Sequence, residues 1–194
     1  MIAYVKGAFV HKTPALVHVD VNGVGYEVQI SLNTFSNIEH LTAGVLHTYL
    51  HIKEDAHILY GFSEVAEKEM FIQLISITGV GASTARMMLS ALKPQELAKA
   101  IIQGNVRTLE SVKGIGKKTA ERIVLELKDK LGKQSLESNI SLTRGNTTEQ
   151  DALNALVSLG IARAAAEQAV RKVLSSDPSP DKVEDIIKKA LKVL

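Results

Sequence analysis

The chain predicts an α+β multidomain protein: an N-terminal five-stranded β-barrel, a central all-α domain, a flexible linker and a C-terminal three-helix bundle. Three observations carry that expectation. Apolar residues alternate with a period of two up to about residue 62 and recur at helical spacing after Ser63. Two segments of the middle region repeat at an interval of 35 residues, and a stretch around residue 140 has neither period. A length of 194 residues suits two or three small domains, which individually run to roughly 100–150 residues or fewer.

The strands are read in order from Ile2-Ala3-Tyr4-Val5, Leu16 to Val21, Tyr26 to Ile30, Val45 to Ile52 and Ile58-Leu59-Tyr60. Asn22-Gly23 between two of them is a two-residue hairpin signal, because both positions tolerate the positive φ of a primed turn. Short strands with antiparallel connections suit a small closed barrel of the OB type over residues 1–63. At Ser63, a plausible N-cap with Glu64 and Glu67 behind it, the period changes and Met70, Phe71, Leu74 and Ile75 follow at helical spacing. Further helices are expected at about 82–92, 94–103 with Pro94 in its permitted first turn, 105–111 and 118–131, giving a helical domain over 64–132.

Residues 133–147 carry few apolar side chains and read as the flexible linker. Beyond it, Thr148 caps a helix carrying Leu153, Leu156 and Val157, Gly160 ends it, a second helix spans about 162–175, and Asp177-Pro178-Ser179-Pro180 breaks before a third. Residues 148–194 are thus expected as a UBA-like three-helix bundle, small enough to be a docking module.

Composition removes several functions. There is no cysteine, which excludes disulfides, thiol catalysis and Cys-based metal sites. His47 and His51 share a strand face, yet no third ligand is placed beside them, so no metal or other cofactor is expected. No apolar run approaches the roughly 18 residues of a membrane span, and the N-terminus reads as the start of a strand; the default location is the cytoplasm. Positive charge collects in the middle: residues 1–63 hold 3 Lys/Arg against 5 Asp/Glu, residues 64–134 hold 12 against 8, and residues 135–194 hold 8 against 8. Lys113 to Lys133 alone contains seven basic residues against three acidic ones, a pattern that suits phosphate and equally a solvated helix face.

The repeat decides between those readings. Ile77-Thr78-Gly79-Val80-Gly81-Ala82-Ser83-Thr84-Ala85 corresponds to Val112-Lys113-Gly114-Ile115-Gly116-Lys117-Lys118-Thr119-Ala120, each with Gly-apolar-Gly between two helices. This is the helix-hairpin-helix pattern. The second helix of each unit begins just past the glycines, so its unpaired N–H groups and positive dipole end face an anion that Gly79, Gly81, Gly114 and Gly116 leave room for. Lys117, Lys118 and Arg122 add charge in the second copy and Thr119 a hydroxyl, whereas the first copy offers Ser83 and Thr84. One copy could be only a tight turn; two copies with flanking lysines point to DNA.

Two enzymatic rivals fit poorly. Gly116-Lys117-Lys118-Thr119 evokes a nucleotide-binding loop, but Ser111 stands where that loop needs its first glycine and Lys118 where it needs Ser or Thr. Lys118 also matches the lysine of helix-hairpin-helix glycosylases, yet Leu136 occupies the place of their assisting aspartate, and a chain without Trp lacks an evident base-flipping pocket. A protein-binding adaptor is the remaining rival, disfavoured by the basic hairpin.

Val21-Asn22-Gly23-Val24-Gly25-Tyr26-Glu27-Val28, then Glu54-Asp55-Ala56-His57-Ile58-Leu59-Tyr60-Gly61-Phe62, then Gly114-Ile115-Gly116-Lys117-Lys118-Thr119-Ala120-Glu121-Arg122, in that order, resemble the RuvA family over the whole chain. The resemblance implies a non-catalytic, four-fold tetramer whose basic face holds four-way junction DNA open and near-planar, one or two tetramers per junction, in recombination and repair. It further implies an acidic pin at Glu54 and Asp55, and docking of the hexameric ATPase RuvB on the C-terminal bundle around Leu156, Leu159 and Ile161. The family pattern often has an aromatic where this chain has Ile161. Leu156 reads equally as bundle core. The resolvase RuvC is a further partner expected of the family, without a recognisable trace in this sequence.

Overall fold

The computed structural model describes residues 1–143, 148–176 and 182–193, the side chains of 133–143, Gln150 and Ser176 excepted. The chain divides into two compact units, Met1–Gln134 and Ser135–Leu194.

The first unit begins with β1 (Tyr4–Thr13), β2 (Leu16–Val21) and β3 (Val24–Ile30), continues through a short helix α1 (Leu32–Ile38), and returns as β4 (Ala43–Ile52) and β5 (His57–Phe62). The strands close into a barrel in the order β1-β2-β3-β5-β4, all pairs antiparallel except β3 with β5. Val5, Phe9, Val17, Val19, Val28, Ile30, Leu46 and Leu59 fill its interior with Ile38 of α1. The Asn22-Gly23 turn forms as the sequence predicts, with φ of +52° and +87° between the paired Val21 and Val24.

Three local features differ from the sequence reading. β1 runs to Thr13, much further than Ile2 to Val5; its register shifts between Phe9 and His11, and that irregularity hides the alternation. Helix α1 was not expected, because Leu32-Asn33-Thr34-Phe35-Ser36-Asn37-Ile38 is short and rich in poor helix formers. Ser31 caps it, its Oγ accepting from Thr34 N at 3.0 Å. Ser63 is not an N-cap: Glu64 holds that place, while Ser63 donates its N–H to Thr34 Oγ1 and its Oγ accepts from Asn37 Nδ2.

The helices of the first unit are α2 (Val65–Ile75), α3 (Ala82–Ala91), α4 (Pro94–Ile102), α5 (Val106–Glu110) and the part up to Gln134 of α6 (Lys117–Thr143). Phe71, Leu74, Met88, Leu89, Leu97, Ile101, Leu109, Ile123 and Leu127 form their core, which also takes in Tyr60 and Phe62 of β5. Phe71 packs its ring 5.0 Å from each of those two. Helix α6 extends into the segment expected as linker, since no Pro interrupts 117–143; residues 144–147 lie outside the described residues, as do the residues of the Asp177-Pro178-Ser179-Pro180 break.

In the second unit α7 (Thr148–Ser158), α8 (Arg163–Ser176) and α9 (Val183–Val193) enclose Ala152, Leu153, Leu156, Ala166, Val170, Val173 and Ile186. Gly160, at φ +90°, ends α7. Among the described residues no helix is long and apolar enough to cross a membrane.

Candidate nucleic-acid interface

The two repeats fold alike. Ile77 and Val80 of the first hairpin, and Val112 and Ile115 of the second, are buried, so each loop is held down by an apolar residue on either side of its first glycine. Val80 N donates to Ile77 O at 3.0 Å, and Ile115 N to Val112 O at the same distance. Those turns need positive φ, and Gly79 and Gly114 supply it at +94° and +91°.

The second glycine of each loop has a different basis. Gly81 caps α3 with φ −81°, and neither Gly81 nor Gly116 has any atom within 4 Å of where a Cβ would stand. Internal packing therefore does not require glycine at either place; the space lies outside the protein. The first helical bonds are Ala85 N to Gly81 O at 2.9 Å and Ala120 N to Gly116 O at 3.0 Å. The N–H groups of Ala82, Ser83 and Thr84, and of Lys117, Lys118 and Thr119, thus precede the first helical carbonyl acceptors and present two clusters of donors at positive helix ends.

Around the second cluster Lys117 and Lys118 are exposed and Thr119 half-buried; around the first, Ser83 is exposed and Thr84 half-buried. Lys117 Nζ stands 4.0 Å from Glu121 Oε1, an exposed pair of small energetic weight that leaves the ammonium accessible to an anion. Arg122 is placed differently from the lysines. Its Nε is 3.1 Å from Glu126 Oε1, and its Nη1 donates to the Thr78 carbonyl at 3.2 Å, across to the other hairpin. That contact is absent from the sequence reading, because a backbone acceptor leaves no side-chain signature.

Glu54 and Asp55 lie in the connection between β4 and β5, as the sequence placed them. The last rung pairs Ile52 with His57, Lys53 N donates to Ala56 O at 2.8 Å, and Lys53, Glu54 and Asp55 are all exposed. Of the three bundle residues, Leu159 is 65% exposed and Ile161 half-buried, but Leu156 is fully buried in the core, so it is not part of a surface. The reason lies in its position within α7, where it faces α8 and α9 with Leu153 and Ala152.

The histidines do not gather into a ligand set. His11 and His18 pair across β1 and β2 with rings 5.1 Å apart, and His18 Nε2 is 3.7 Å from Glu27 Oε2, but among the described residues no three His, Asp or Glu side chains are grouped to hold a metal ion.

Comparison with known proteins matches the same layout. Family models match in sequence: RuvA N terminal domain over residues 1–61, SAM-like helix-hairpin-helix tandem over 71–129, and RuvA C-terminal domain over 148–194. The chain is 48% identical over 194 residues to the Holliday junction branch migration complex subunit RuvA of Christiangramia forsetii. It is 46% identical over 199 residues to that of Cytophaga hutchinsonii and 46% over 194 residues to that of Flavobacterium psychrophilum, the whole of both chains being covered in all three comparisons. With barrel, paired hairpins and bundle matched in order from end to end, the chain belongs to the RuvA family of Holliday junction branch migration complex subunits.

Proposed function

We propose that this protein is a non-catalytic scaffold that binds four-way DNA junctions, holds their arms open and near-planar, and recruits the RuvB ATPase that drives branch migration. The observation that carries the reading is the pair of like-folded hairpins, each ending in a glycine where a side chain would meet nothing inside the protein and each presenting first-turn N–H donors. Backbone donors and lysines address phosphate rather than base edges, so binding is independent of base sequence and weakens steeply with salt. A homotetramer supplies four such pairs around one axis, one for each duplex arm of a junction, and a second tetramer can cover the other face.

In this arrangement Glu54 and Asp55 stand toward the junction centre, where carboxylates repel phosphates and disfavour a duplex running straight across. The bundle offers Leu159 and Ile161 to RuvB, and family likeness suggests RuvC as a further partner. ATP hydrolysis belongs to RuvB in this reading, Ser111 and Lys118 being where a nucleotide-binding loop needs Gly and Ser or Thr.

The test is a competition gel shift of the purified protein on a synthetic four-way junction against linear duplex of equal length, across a salt series. Junction binding that persists after salt has removed duplex binding, and that weakens in Lys117→Ala with Lys118→Ala, is the expected result. Equal affinity for both substrates would leave a general DNA-binding hairpin protein and defeat the junction reading.

A further inference from the structure

The interval of 35 residues that relates the two hairpins maps Thr78 onto Lys113, Gly79 onto Gly114 and Met87 onto Arg122. Met87 and Arg122 therefore occupy the same place in α3 and α6, on the helix that follows each hairpin. Both reach the opposite hairpin. Arg122 Nη1 donates to Thr78 O at 3.2 Å, on the residue preceding Gly79, and Met87 Cε lies over the Gly114 turn, 3.4 Å from the point a Cβ there would occupy. One strut is polar and the other apolar, but the pair is reciprocal.

We infer that Met87 and Arg122 are positioning residues that lock the two hairpins to each other, and that Arg122 is not a phosphate ligand. The guanidinium is already engaged on two sides, with Nε on Glu126 and Nη1 on Thr78. It also sits five residues along α6 from Lys117, roughly 7.5 Å behind the first-turn donors at the 1.5 Å rise of a helix. Met87 carries no charge at the equivalent place, so what the two positions share is a side chain laid against the sister hairpin. Two donor clusters fixed at one separation meet two phosphates with little reorganisation; clusters that drift must be brought into register on every encounter. The inference rests on the proposed phosphate reading of the hairpins.

The experiment uses the full-length protein and a synthetic four-way junction. Binding of Arg122→Ala, Met87→Ala, the double variant and Lys118→Ala is measured across a salt series, and amide hydrogen exchange of residues 77–82 is measured without DNA. Arg122→Ala should weaken binding by roughly fivefold, the scale of one ordinary hydrogen bond, and Met87→Ala by less, both with the salt slope unchanged. The double variant should lose less than the product of the two, and exchange in the first hairpin should rise in Arg122→Ala. Lys118→Ala should instead reduce the slope by about 0.9, the value for one phosphate contact. A slope reduction of that size in Arg122→Ala, or exchange that stays at the wild-type rate, overturns the inference. If Lys118→Ala leaves the slope unchanged, the phosphate reading fails, while the exchange measurement on free protein still judges the clasp.

Discussion

Thr34 donates its hydroxyl to Glu67 Oε2 at 2.7 Å, joining a helix of the barrel to the first helix of the hairpin domain through a carboxylate that is only 2% exposed. Ser31 donates to the other oxygen of the same carboxylate. Burial pushes the Glu67 carboxyl above its ordinary value of 4.5; the two hydroxyls pull it back and the charge of Glu64 adds to the rise. A folded-state value raised above the unfolded one means that protonation of Glu67 favours folding. That contribution is complete below the unfolded value and is lost as pH rises through the raised one. Glu67→Gln is neutral throughout, so it should gain stability relative to the wild type as pH increases from about 4 to 8, read as the difference in thermal midpoint. A difference that stays flat would show that the carboxyl titrates normally. Glu67→Ala should cost about 1–3 kcal/mol at any pH, because it leaves two buried hydroxyls short of an acceptor.

The two glycines of each hairpin should separate fold from function. Gly79→Ala and Gly114→Ala force a Cβ into positive φ and should each lower stability by about 1–2 kcal/mol. Gly81→Ala and Gly116→Ala meet nothing inside the protein and should stay within about 0.5 kcal/mol of wild type in denaturant unfolding. They should nevertheless weaken junction binding by roughly tenfold, since the methyl stands between a phosphate and the helix donors. Unaltered binding in both would remove the argument that these positions face DNA.

For the acidic turn, Glu54→Ala combined with Asp55→Ala should leave stability unchanged, both residues being exposed. Affinity for linear duplex should rise by roughly threefold, as expected when two exposed like charges are removed, and junction selectivity should fall accordingly. Competition gel shifts measure both. Selectivity and migration rate equal to wild type would dispose of the pin.

In the bundle, Leu156→Ala should lower the stability of the second unit by about 2–5 kcal/mol through the cavity it leaves. Leu159→Ser changes an exposed side chain and should leave thermal unfolding within about 0.5 kcal/mol, yet reduce RuvB-driven branch migration. Migration at the wild-type rate would exclude Leu159 from the docking surface.

Much of this architecture is legible in the residues. Strands β2 and β3 announce themselves by alternation around Asn22-Gly23, and the hairpins by a repeat whose glycines have a mechanical reason to be there. What escapes is whatever tertiary contact creates. Helix α1 has neither length nor apolar period, and it exists because Ser31 caps it, Ile38 enters the barrel, and Asn33 donates to the carbonyls of Leu89 and Leu92. Ser63 carries the local signature of a cap but is drawn to Thr34 and Asn37, partners remote in sequence. Leu156 reads from the sequence equally as docking surface and as bundle core, and the fold takes it into the core. The Arg122 contact with Thr78 is invisible for a simpler reason: a main-chain oxygen looks the same in every sequence.

Tyr60 and Phe62 belong to the last barrel strand by hydrogen bonding, yet their rings complete the interior around Phe71. Expressed alone, the segment from Val65 onward would present a hole where two aromatic side chains should be, and the barrel without it would expose them to water. The hairpins are therefore not a cassette that could be excised and grafted elsewhere. In a protein built this way, a load on the hairpin helices passes through these three rings into the barrel.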